Sequence, residues 1–454
     1  MKLALIFPRF KYPSGDMPLG IGYLAARILQ KYPETELDII DTTFEKKPFE
    51  SIKRRLSSAN YDIVGISVMT IMLKDSLSIA SIIKRRTPET KVIFGGPHPT
   101  VMPEETLACP QVDCVVIGEG EETLADIVGA GGRFKDIPGL WFKERSNLIK
   151  NAQRAPNEDL DRLPFPIRHL LPVDKYIKNH AGLDSVNPKL RCMGILATRG
   201  CPYRCSYCQP TLDSLFGKKL RKRSAENIIE ELRQLKTRYG IDSFTFEDDT
   251  FIIDTKWVCD FCDKLIASRM NLVWSCNVRA NLVTRELMKK LYDAGLRKVG
   301  IGIESGSQRI LDEIYTKDIT IEQIRKSVDI ISSLGIKILG YVMIGAPTET
   351  LNEINQTIAF VTALNIDEAM FSITTPLPCT TLYKTTKELI KDDIGEFDYY
   401  KKAVYRSTGD LSPQQIEKLK QRAYLKFYLS PKHLLKTLKN LLSTKIFLNR
   451  LKRF

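Results

Sequence analysis

The sequence lacks any run of about 18 apolar residues, which is the length that a transmembrane helix needs. Its richest apolar stretch, residues 63–73, is too short to span a bilayer and is typical of a buried strand that runs into a helix. No secretory signal peptide is recognisable, because Pro8 and Arg9 interrupt the short apolar run near Met1. These absences predict a cytoplasmic protein without a membrane-spanning segment.

Cysteine and histidine are scarce, with ten cysteines and four histidines among 454 residues. Ten cysteines are too few for a disulfide scaffold in a chain of this length, and in a reducing compartment clustered cysteines indicate metal binding or catalysis. Residues 1–97 contain no histidine. No solenoid-type repeat is present, and the 43% of hydrophobic residues excludes general disorder, so the length predicts two or three folded domains.

Acidic residues are almost absent from the C-terminal end of the chain. Residues 411–454 contain 11 Lys/Arg and one acid, a net charge of +10, so the rest of the chain carries only +4 of the total of +14. In residues 424–454, large apolar side chains alternate with Lys and Arg, which favours a helix that lies on an anionic membrane surface. A helical cap with a solvated face is the alternative, and nucleic-acid binding is a third, less favoured one.

Alternating strand and helix patterns predict an α/β protein with two sheets. In the first 130 residues, five short apolar runs separated by amphipathic stretches predict a doubly wound parallel sheet. From residue 193 onward, six further strand and helix pairs predict a curved parallel sheet, that is, a partial barrel. In its first helix, Ser224 is the expected N-cap, and Gly240 follows the end. The predicted strands are 2–7, 37–41, 62–67, 91–96, 113–118, 193–198, 242–247, 273–278, 298–304, 337–344 and 368–373.

These patterns divide the chain into four parts. Residues 1–135 form the first α/β domain, and residues 136–190, which are rich in proline, form a linker or strap. Residues 191–385 form the partial barrel of six βα units. Residues 386–454 form a basic helical region without strand patterns.

Three cysteines lie directly after the first predicted barrel strand, in the segment "RGCPYRCSYCQP". Cys201, Cys205 and Cys208 are spaced C-x3-C-x2-C. Active sites on such sheets lie at the carboxyl ends of the strands. A structural zinc ion and a 4Fe–4S cluster each want four ligands, so a loop with three thiols leaves one position open. A zinc knuckle with a distant fourth ligand is the alternative.

This spacing, its place after the first barrel strand, the aromatic Tyr207 and the preceding Gly200 resemble the signature of the radical S-adenosylmethionine (SAM) superfamily. The resemblance implies that the three cysteines hold three irons of a 4Fe–4S cluster, and that the fourth iron chelates the amino and carboxylate groups of SAM. One electron, from a low-potential donor of the flavodoxin or ferredoxin type, then gives methionine and a 5′-deoxyadenosyl radical that abstracts hydrogen. The protein contributes orientation and shielding.

Later strand ends carry segments that resemble motifs of the same superfamily, over roughly residues 190–385. "TFEDDTF" resembles the segment near the amino group of SAM, "NVRANL" offers an arginine for a carboxylate, and "GIGIESGS" offers a glutamate for ribose or methionine. "MIGAPTET" resembles the loop that flanks the adenosine. A helix-capping loop is the alternative for the run of acids. The resemblance assigns SAM contacts to Tyr207, Glu247, Asp248, Asp249, Arg279, Glu304, Gly345 and Pro347.

The remaining cysteines of this region admit two interpretations. Cys259 and Cys262, with Cys276 nearby in sequence, have the number of thiols for an auxiliary cluster, but cysteines three apart on a helix are more typical of core packing. Cys379 lies in "PLPCTTLY", where relatives often have glycine. A small buried residue is the favoured interpretation of Cys379, and a substrate-facing residue is the alternative.

The N-terminal sheet resembles the cobalamin-binding module of class B of that superfamily. The segments concerned are "MPLGIGYLAA", "GISVMT", "GGPHPT" and "GEGEET", which follow predicted strand ends. The D-x-H-x-x-G motif is absent, so the cobalt is expected to lack a histidine on its lower face. A Rossmann-like sheet that has lost its ligand is the alternative. The resemblance assigns cobalamin contacts to Gly20, Ser67, Thr70, Gly95, Gly96, His98, Gly118 and Glu119.

Together the two resemblances imply a cobalamin-dependent radical SAM enzyme that acts on an unactivated carbon of a small-molecule or lipid-like substrate. Methyl transfer is favoured, with oxidative cyclisation, as in the anaerobic magnesium-protoporphyrin ester cyclase, as the alternative. A methylthiotransferase acting on tRNA is disfavoured because it should carry three further N-terminal cysteines, where only Cys109 and Cys114 occur. A non-enzymatic metal-binding regulator is the remaining alternative, and it predicts no cleavage of SAM.

Overall fold

Two compact units make up the described part of the protein in this computed structural model. The described residues are 1–145, 147–390, 393–405 and 411–434. One unit, the N-terminal unit, comprises Met1–Tyr176, Pro210–Arg221 and Asp393–Glu396, and the other, the barrel unit, contains the rest of the described chain. Each unit is built on its own sheet, and this confirms the predicted α/β class. Across the described residues, every helix is too short or too polar to traverse a bilayer.

The sheet of the N-terminal unit has seven strands in the order β2-β1-β3-β4-β5-β6-β7. The first five are parallel, and Leu3 of β1 lies in register between Leu37 of β2 and Ile63 of β3. Their β-branched side chains are buried on both faces, as a sheet covered by helices on both sides requires. The strands are Lys2–Phe7 (β1), Glu36–Asp41 (β2), Ile63–Ser67 (β3), Lys91–Gly95 (β4), Cys114–Val116 (β5), Leu140–Glu144 (β6) and Asn147–Lys150 (β7).

Strands β6 and β7 form an antiparallel hairpin that extends this sheet past β5. They lie inside residues 136–190, for which a linker or strap was predicted, so the sequence patterns missed this hairpin. Leu140 and Phe142 alternate with more exposed neighbours and face the core, but this pattern covers only five residues and is followed by many prolines. The helices up to the cysteine loop and just after it are Leu19–Lys31 (α1), Pro48–Ser57 (α2), Leu73–Arg86 (α3), Pro97–Val101 (α4), Pro103–Ala108 (α5), Glu121–Gly129 (α6), Val173–Asn179 (α7) and Thr211–Phe216 (α8).

The sheet of the barrel unit has six parallel strands in the order β15-β14-β13-β12-β11-β8, which confirms the predicted partial barrel. Strands of this sheet that follow one another along the chain are also neighbours in the sheet, as a half-barrel requires. Two short strands, β9 and β10, flank the cysteine loop. The strands are Cys192–Ile195 (β8), Thr198–Arg199 (β9), Arg221–Lys222 (β10), Ser243–Phe246 (β11), Val273–Val278 (β12), Leu296–Glu304 (β13), Lys337–Ile344 (β14) and Glu368–Ile373 (β15).

Helices cover the outer face of the half-barrel. Ser224 caps the first of them by accepting a hydrogen bond from the backbone N–H of Asn227, and Gly240 ends it with a φ of 62°, as predicted. The helices are Ala225–Tyr239 (α9), Thr255–Ala267 (α10), Arg285–Asp293 (α11), Ile321–Ser333 (α12), Leu351–Ala363 (α13), Thr381–Thr386 (α14) and Pro413–Tyr428 (α15). The predicted helical region 386–454 is thus confirmed for α15, whereas residues 435–454 lie outside the described chain.

The two faces of the half-barrel differ in polarity because side chains alternate along each strand. On the outer face, Phe246 and Trp274 are fully buried in an aromatic core, in which the Phe246 and Phe251 rings stack at 4.1 Å. On the inner face, Asn277 and Tyr341 are only half buried. The core therefore lies between strands and helices, and the inner face is left for ligands.

Helix α15 covers the free edge of the sheet. The Tyr424 hydroxyl donates to the backbone carbonyl of Phe371 and accepts from its N–H, at 3.2 and 3.1 Å. The Tyr428 hydroxyl makes the same pair of bonds to Ala369, at 3.1 and 3.3 Å. Both residues lie on β15, the last strand of the sheet, so these hydroxyls satisfy backbone groups that an edge strand leaves unpaired.

Candidate active site

The loop of the three cysteines is folded as a compact turn. Cys201 and Cys205 are buried, and Cys208 is partly exposed. The N–H of Cys208 donates to the carbonyl of Cys205 at 3.1 Å. The buried amide of Gln209 donates to the carbonyls of Cys201 and Tyr203, each at 3.3 Å, so this side chain ties both ends of the loop together.

Two distant segments hold this loop in place. The N–H of Ser206 donates to the carbonyl of Tyr315 at 2.9 Å. At the start of α14, the N–H of Thr381 donates to the carbonyl of Gln209 at 2.8 Å, and the N–H of Leu382 to that of Ser206 at 2.9 Å. The thiols are therefore carried by a loop whose backbone is fixed from both sides, as a preorganised metal site requires.

Burial disfavours the thiolate form of Cys201 and of Cys208 in the absence of a metal. It raises the pKa of Cys201 and, with the nearby charges of Cys205 and Asp249, the pKa of Cys208 above its usual range. A metal ion must displace these protons when it binds, because the thiolate is the ligand. Three thiols on one preorganised loop fit three irons of a cluster and leave one position without a ligand from this loop.

Arg279, which follows β12, lies against the cysteine loop. Its guanidinium donates to Sγ of Cys205 at 3.6 Å and stacks on the ring of Tyr203 at 3.9 Å. The side chain is buried, and its Nε has no hydrogen-bond partner in the described chain. A buried donor without a partner is costly, so this nitrogen fits the predicted role of binding a carboxylate.

Glu304, at the end of β13, forms a buried network with Lys317 and Tyr207. Oε1 of Glu304 lies 2.6 Å from Nζ of Lys317 and 3.2 Å from the Tyr207 hydroxyl, whereas Oε2 has no hydrogen-bond partner in the described chain. The Lys317 ammonium also donates to the Tyr207 hydroxyl at 3.1 Å. A Cβ at Gly302 would lie 2.6 Å from Nζ of Lys317, so only glycine admits this network. The sequence analysis predicted Glu304 and Tyr207 but missed Lys317.

The three successive acids after β11 have three different surroundings. Oε1 of Glu247 lies 3.9 Å from Nε2 of the buried His180. Asp249 is an exposed residue, but burial raises the pKa of its carboxyl. Asp248 is buried and accepts hydrogen bonds from the backbone N–H groups of Ala197 and Thr198 and from the Thr198 hydroxyl. Burial raises the pKa of Asp248 to about 7, although these hydrogen bonds lower it. The predicted SAM contact of Asp248 does not fit this geometry, because its carboxylate holds the turn that precedes the cysteine loop.

The loop after β14 is organised by Glu349, which the sequence analysis did not single out. Oε2 of this fully buried carboxyl accepts from the N–H groups of Gly345 and Ala346, at 2.7 and 3.0 Å. Oε1 has no partner in the described chain, and burial raises the pKa of Glu349 to about 7. Gly345 has a φ of 83° and its carbonyl accepts from the Tyr405 hydroxyl, while Pro347 is buried beside it. Gly345 and Pro347, the two residues predicted in this loop, therefore lie in a turn whose backbone is bound by the Glu349 carboxyl and the Tyr405 hydroxyl.

A bidentate ion pair joins the loops after β13 and β14. Nε and an Nη of Arg309 donate to the two carboxylate oxygens of Glu353, each at 2.8 Å. Arg309 is the main cause that lowers the pKa of Glu353 to about 2. The Ser307 hydroxyl donates to the same carboxylate at 3.0 Å, and Thr350 and Glu353 form a capping box at the start of α13. None of these four supporting residues was predicted from the sequence.

The surroundings of Cys262, Cys276 and Cys379 are those of residues that serve the fold. Cys262 and Cys276 are buried in the layer between α10 and β12, and this fits core packing, the favoured interpretation. Burial raises the pKa of Cys262 to about 12. Cys379 has a φ of 64°, a left-handed conformation that glycine adopts without strain. Glycine would therefore suit this position.

In the N-terminal unit, the carboxyl ends of β3, β4 and β5 form a strip of half-buried backbone. Ser67 ends β3 and Thr70 follows it, Gly95 ends β4 and Gly96 follows it, and Gly118 follows β5. Ligands of doubly wound sheets bind at this edge, and the two glycines at the end of β4 would let a flat macrocycle approach the backbone. Gly20, the remaining predicted glycine, is exposed in the first turn of α1, with no atom near its missing Cβ.

His98 is buried below this strip. Its Nδ1 lies 3.2 Å from the Thr70 hydroxyl, and burial lowers the pKa of His98 to about 4, so the imidazole is neutral at physiological pH. The backbone N–H of His98 donates to the carbonyl of Val68 at 3.0 Å, and this bond joins the loop after β4 to the loop after β3. This position suits a side chain that supports the strip.

Glu119 is already paired within the N-terminal unit. Its two carboxylate oxygens accept from the two Nη atoms of Arg221, each at 2.9 Å, and both side chains are largely buried. Oε2 also accepts from the N–H of Asn157 at 2.9 Å. The predicted contact of this carboxylate with cobalamin does not fit these bonds, which join residues 118–120 to residues 157 and 221.

Comparison with known families supports both sites. The model of the radical SAM superfamily matches residues 195–361, which include the three cysteines. The model of the B12 binding domain matches residues 16–128, which include the strip at the carboxyl ends of β3, β4 and β5. These matches define an enzyme that combines a radical SAM domain with a cobalamin-binding domain, and its cofactors are a 4Fe–4S cluster, SAM and cobalamin.

Curated relatives narrow this class. Over 426 residues the chain is 34% identical to an uncharacterized methyltransferase of Pyrococcus horikoshii, a match that covers 92% of this chain and 89% of the relative. The chain therefore belongs to the cobalamin-dependent radical SAM methyltransferase family. It is also 25% identical over 416 residues to an anaerobic magnesium-protoporphyrin IX monomethyl ester cyclase of Rubrivivax gelatinosus, with 88% of this chain and 72% of the cyclase covered.

Among solved structures, the fold matches that of the cobalamin-dependent SAM radical enzyme OxsB with aqua-cobalamin and SAM bound. The TM-score is 0.74 at 17% identity, and the match covers 100% of this chain and 72% of that one. At this identity the match shows a common fold. It confirms the predicted order of a B12-binding sheet followed by a radical SAM half-barrel.

Proposed function

We propose that this protein transfers a methyl group to an unactivated carbon of a small-molecule or lipid-like substrate. The observation that carries the proposal is the presence, in one chain, of a preorganised three-thiol loop and of a B12-binding sheet. The similarity to a methyltransferase over nine-tenths of the chain supports methyl transfer over other radical reactions. When bound, the cluster and SAM supply a radical that abstracts hydrogen, and cobalamin supplies the methyl group.

The residues of the barrel unit bind and orient in this proposal. Cys201, Cys205 and Cys208 hold three irons. The guanidinium of Arg279, with its unpartnered Nε, binds the carboxylate of SAM. Oε2 of Glu304 accepts from a ribose hydroxyl, because Oε1 is held by Lys317. Each contact costs little reorganisation, since the side chains are already fixed by their neighbours.

Further SAM contacts stay predictions for this unit. The carboxylates of Glu247 and Asp249 are the acceptors for the ammonium group of SAM, whereas the loop of Gly345 and Pro347 flanks the adenosine. Tyr207 acts through Glu304 as a positioning residue. In the N-terminal unit, the predicted cobalamin contacts that remain are Gly20, Ser67, Thr70, Gly95, Gly96, His98 and Gly118.

Oxidative cyclisation is the second candidate function, and the similarity to the Rubrivivax gelatinosus cyclase favours it. Both reactions need the same cofactors, so the residues described above serve either one. The fate of the methyl group separates them, because only methyl transfer places a carbon of SAM in the substrate. In either case a low-potential electron donor of the flavodoxin or ferredoxin type is the proposed partner of the barrel unit.

The experiment that tests the proposal uses the full chain, reconstituted anaerobically with iron, sulfide and cobalamin, and SAM with a labelled methyl group. Extracts of small molecules and lipids serve as substrate source. The proposal expects 5′-deoxyadenosine and a product that carries the label. A product without the label supports cyclisation instead, and absence of 5′-deoxyadenosine contradicts both reactions and favours a regulator.

A further inference from the structure

Helix α15 presents two unlike faces. Its inner face, formed by Ile416, Leu419, Ala423 and Phe427, is buried against the barrel unit. Its outer face is exposed and contains large apolar side chains that nothing in the described chain covers. Exposed apolar side chains are usually scattered singly over a protein surface, so several of them on one helix face indicate an interaction site.

Three exposed leucines are concentrated at the C-terminal end of this helix and just beyond it. Leu425 is 56% exposed, Leu429 is 63% exposed and Leu434 is 37% exposed. The described chain contains only eight large apolar side chains this exposed, so three of them fall within ten residues. Leu425 and Leu429 are four residues apart and therefore lie on one side of the helix.

Basic side chains lie beside these leucines. Lys418, Arg422 and Lys426 are all exposed and follow one another at intervals of four residues. At about 100° per residue, they fall with Leu425 and Leu429 in an arc of about 100°. No carboxylate of the described chain lies within ion-pair distance of these three cations. Glu417, the acid of this helix, is turned toward the backbone N–H of Ala403.

The outer face cannot rotate inward. The hydroxyls of Tyr424 and Tyr428 hold the helix to the backbone of the edge strand β15 at four hydrogen bonds. Phe427 is fully buried between them. Rotation of the helix therefore cannot bury the exposed leucines, and no other residue of the described chain covers them.

The positive charge around the leucines favours one kind of binding partner over the others. A second copy of this chain would bring Lys418, Arg422 and Lys426 against their own counterparts, and nucleic acid would leave the leucines unused. An anionic membrane surface satisfies both features, since its headgroups attract cations and its acyl chains accept leucine. The sequence that follows, residues 435–454, adds six Lys/Arg and nine large apolar residues and no acid, so the same chemistry continues.

We propose that the outer face of α15 docks the enzyme on an anionic lipid bilayer. Leu425, Leu429 and Leu434 enter the headgroup boundary, and Lys418, Arg422 and Lys426 pair with lipid phosphates and carboxylates. This surface is independent of the proposed methyl transfer, so either can fail without the other. It also makes a lipid-like substrate reachable for the barrel unit.

Vesicle co-sedimentation of the full chain tests this surface. We expect binding to vesicles that contain phosphatidylserine, weaker binding at high salt, and none to pure phosphatidylcholine. The double variant L425Q/L429Q should bind about tenfold or more weaker. The triple variant K418Q/R422Q/K426Q should lose most of the preference for phosphatidylserine. The substituted side chains are exposed, so unchanged thermal unfolding should show that both variants fold.

The matched control is Ile266→Gln, which removes an apolar side chain of similar exposure, 49%, from α10. This variant should bind vesicles as the wild type does. Equal binding of L425Q/L429Q and the wild type would overturn the proposal, since the contact would then depend on other residues. Concentration-dependent dimerisation that L425Q/L429Q abolishes, or RNA binding that outcompetes vesicles, would overturn it as well.

Discussion

Nζ of Lys317 lies 2.6 Å from Oε1 of Glu304, and both side chains are buried at the end of β13. Glu304 has a φ of 60°, so its backbone is held in a conformation that a β-branched or bulky residue would resist. Because an unpaired buried charge is costly, the substitution Lys317→Met should lower the free energy of unfolding by about 3–5 kcal/mol. Denaturant unfolding measures this loss.

The double variant K317M/E304Q separates stability from SAM binding. It removes both charges, so most of the lost stability should return. If Glu304 contacts the ribose, SAM cleavage should nevertheless stay low, because the amide is a weaker acceptor than the carboxylate. Full recovery of 5′-deoxyadenosine formation in the double variant would show that the pair serves only the fold.

The cysteine ligands should be distinguishable from the other cysteines by iron content. Replacing Cys208 with alanine removes one of three ligands, so reconstitution should give little bound iron and no 5′-deoxyadenosine. Cys259→Ser is the matched control, because Cys259 is half exposed on α10 and is interpreted as a packing residue. Iron and acid-labile sulfide analysis measures both. Loss of iron in Cys259→Ser would indicate a second cluster.

Glu349 should make stability depend on pH. Its pKa is raised to about 7 in the folded protein, mainly by burial, from 4.5 in the unfolded chain. The folded state therefore holds a proton that the unfolded state releases between these values, so the contribution is present below about pH 4.5 and lost as pH rises through 7. The loss amounts to about 3 kcal/mol.

The isosteric substitution Glu349→Gln tests this assignment. Its amide oxygen can still accept from the N–H groups of Gly345 and Ala346, and it has no charge to bury. The neighbouring groups that face Glu349 are Tyr315, Tyr405 and the Arg309–Glu353 pair. Unfolding midpoints at pH 5 and pH 8 should therefore differ less in the variant than in the wild type. An unchanged pH dependence would contradict the assignment to Glu349.

Cys379 should accept glycine without loss of stability. A non-glycine residue in the left-handed region carries about 1 kcal/mol of strain, which Cys379→Gly relieves, while the greater freedom of glycine in the unfolded chain offsets part of the gain. Cys379→Val retains the strain and adds branching at Cβ, so it should be less stable than the wild type. Thermal unfolding of the two variants side by side gives the ordering. Higher stability of the valine variant would refute it.

The parallel strands of both sheets were predictable because each is a short run rich in apolar residues that packs at least one face into a core. The boundaries of β1, β12, β14 and β15 agree with the prediction to the residue. The hairpin β6–β7 was missed because an edge hairpin is buried on one side only, and Asn147–Lys150 is largely exposed. Local pattern therefore reveals strands with a continuous apolar core and misses a short hairpin whose second strand is largely exposed.

Site residues that follow a strand end within a motif were predictable as candidates, and their ligand contacts remain predictions. Lys317 was not, because it lies thirteen residues after Glu304 and only the fold brings its ammonium back to that carboxylate. Asp248, in contrast, was predicted as a SAM contact, although its carboxylate is bound to backbone N–H groups. Its neighbours Glu247 and Asp249 are exposed, whereas the alternation along the chain turns Asp248 into the interior, where backbone N–H groups bind it.

The most direct test of the account is electron paramagnetic resonance of the reduced, reconstituted protein with and without SAM. An iron without a protein ligand should bind SAM directly, so adding SAM should change the cluster spectrum, and labelled nitrogen or oxygen in SAM should couple to it. A cluster spectrum that SAM leaves unaltered would contradict the account, since a fourth side chain would then occupy the position assigned to SAM.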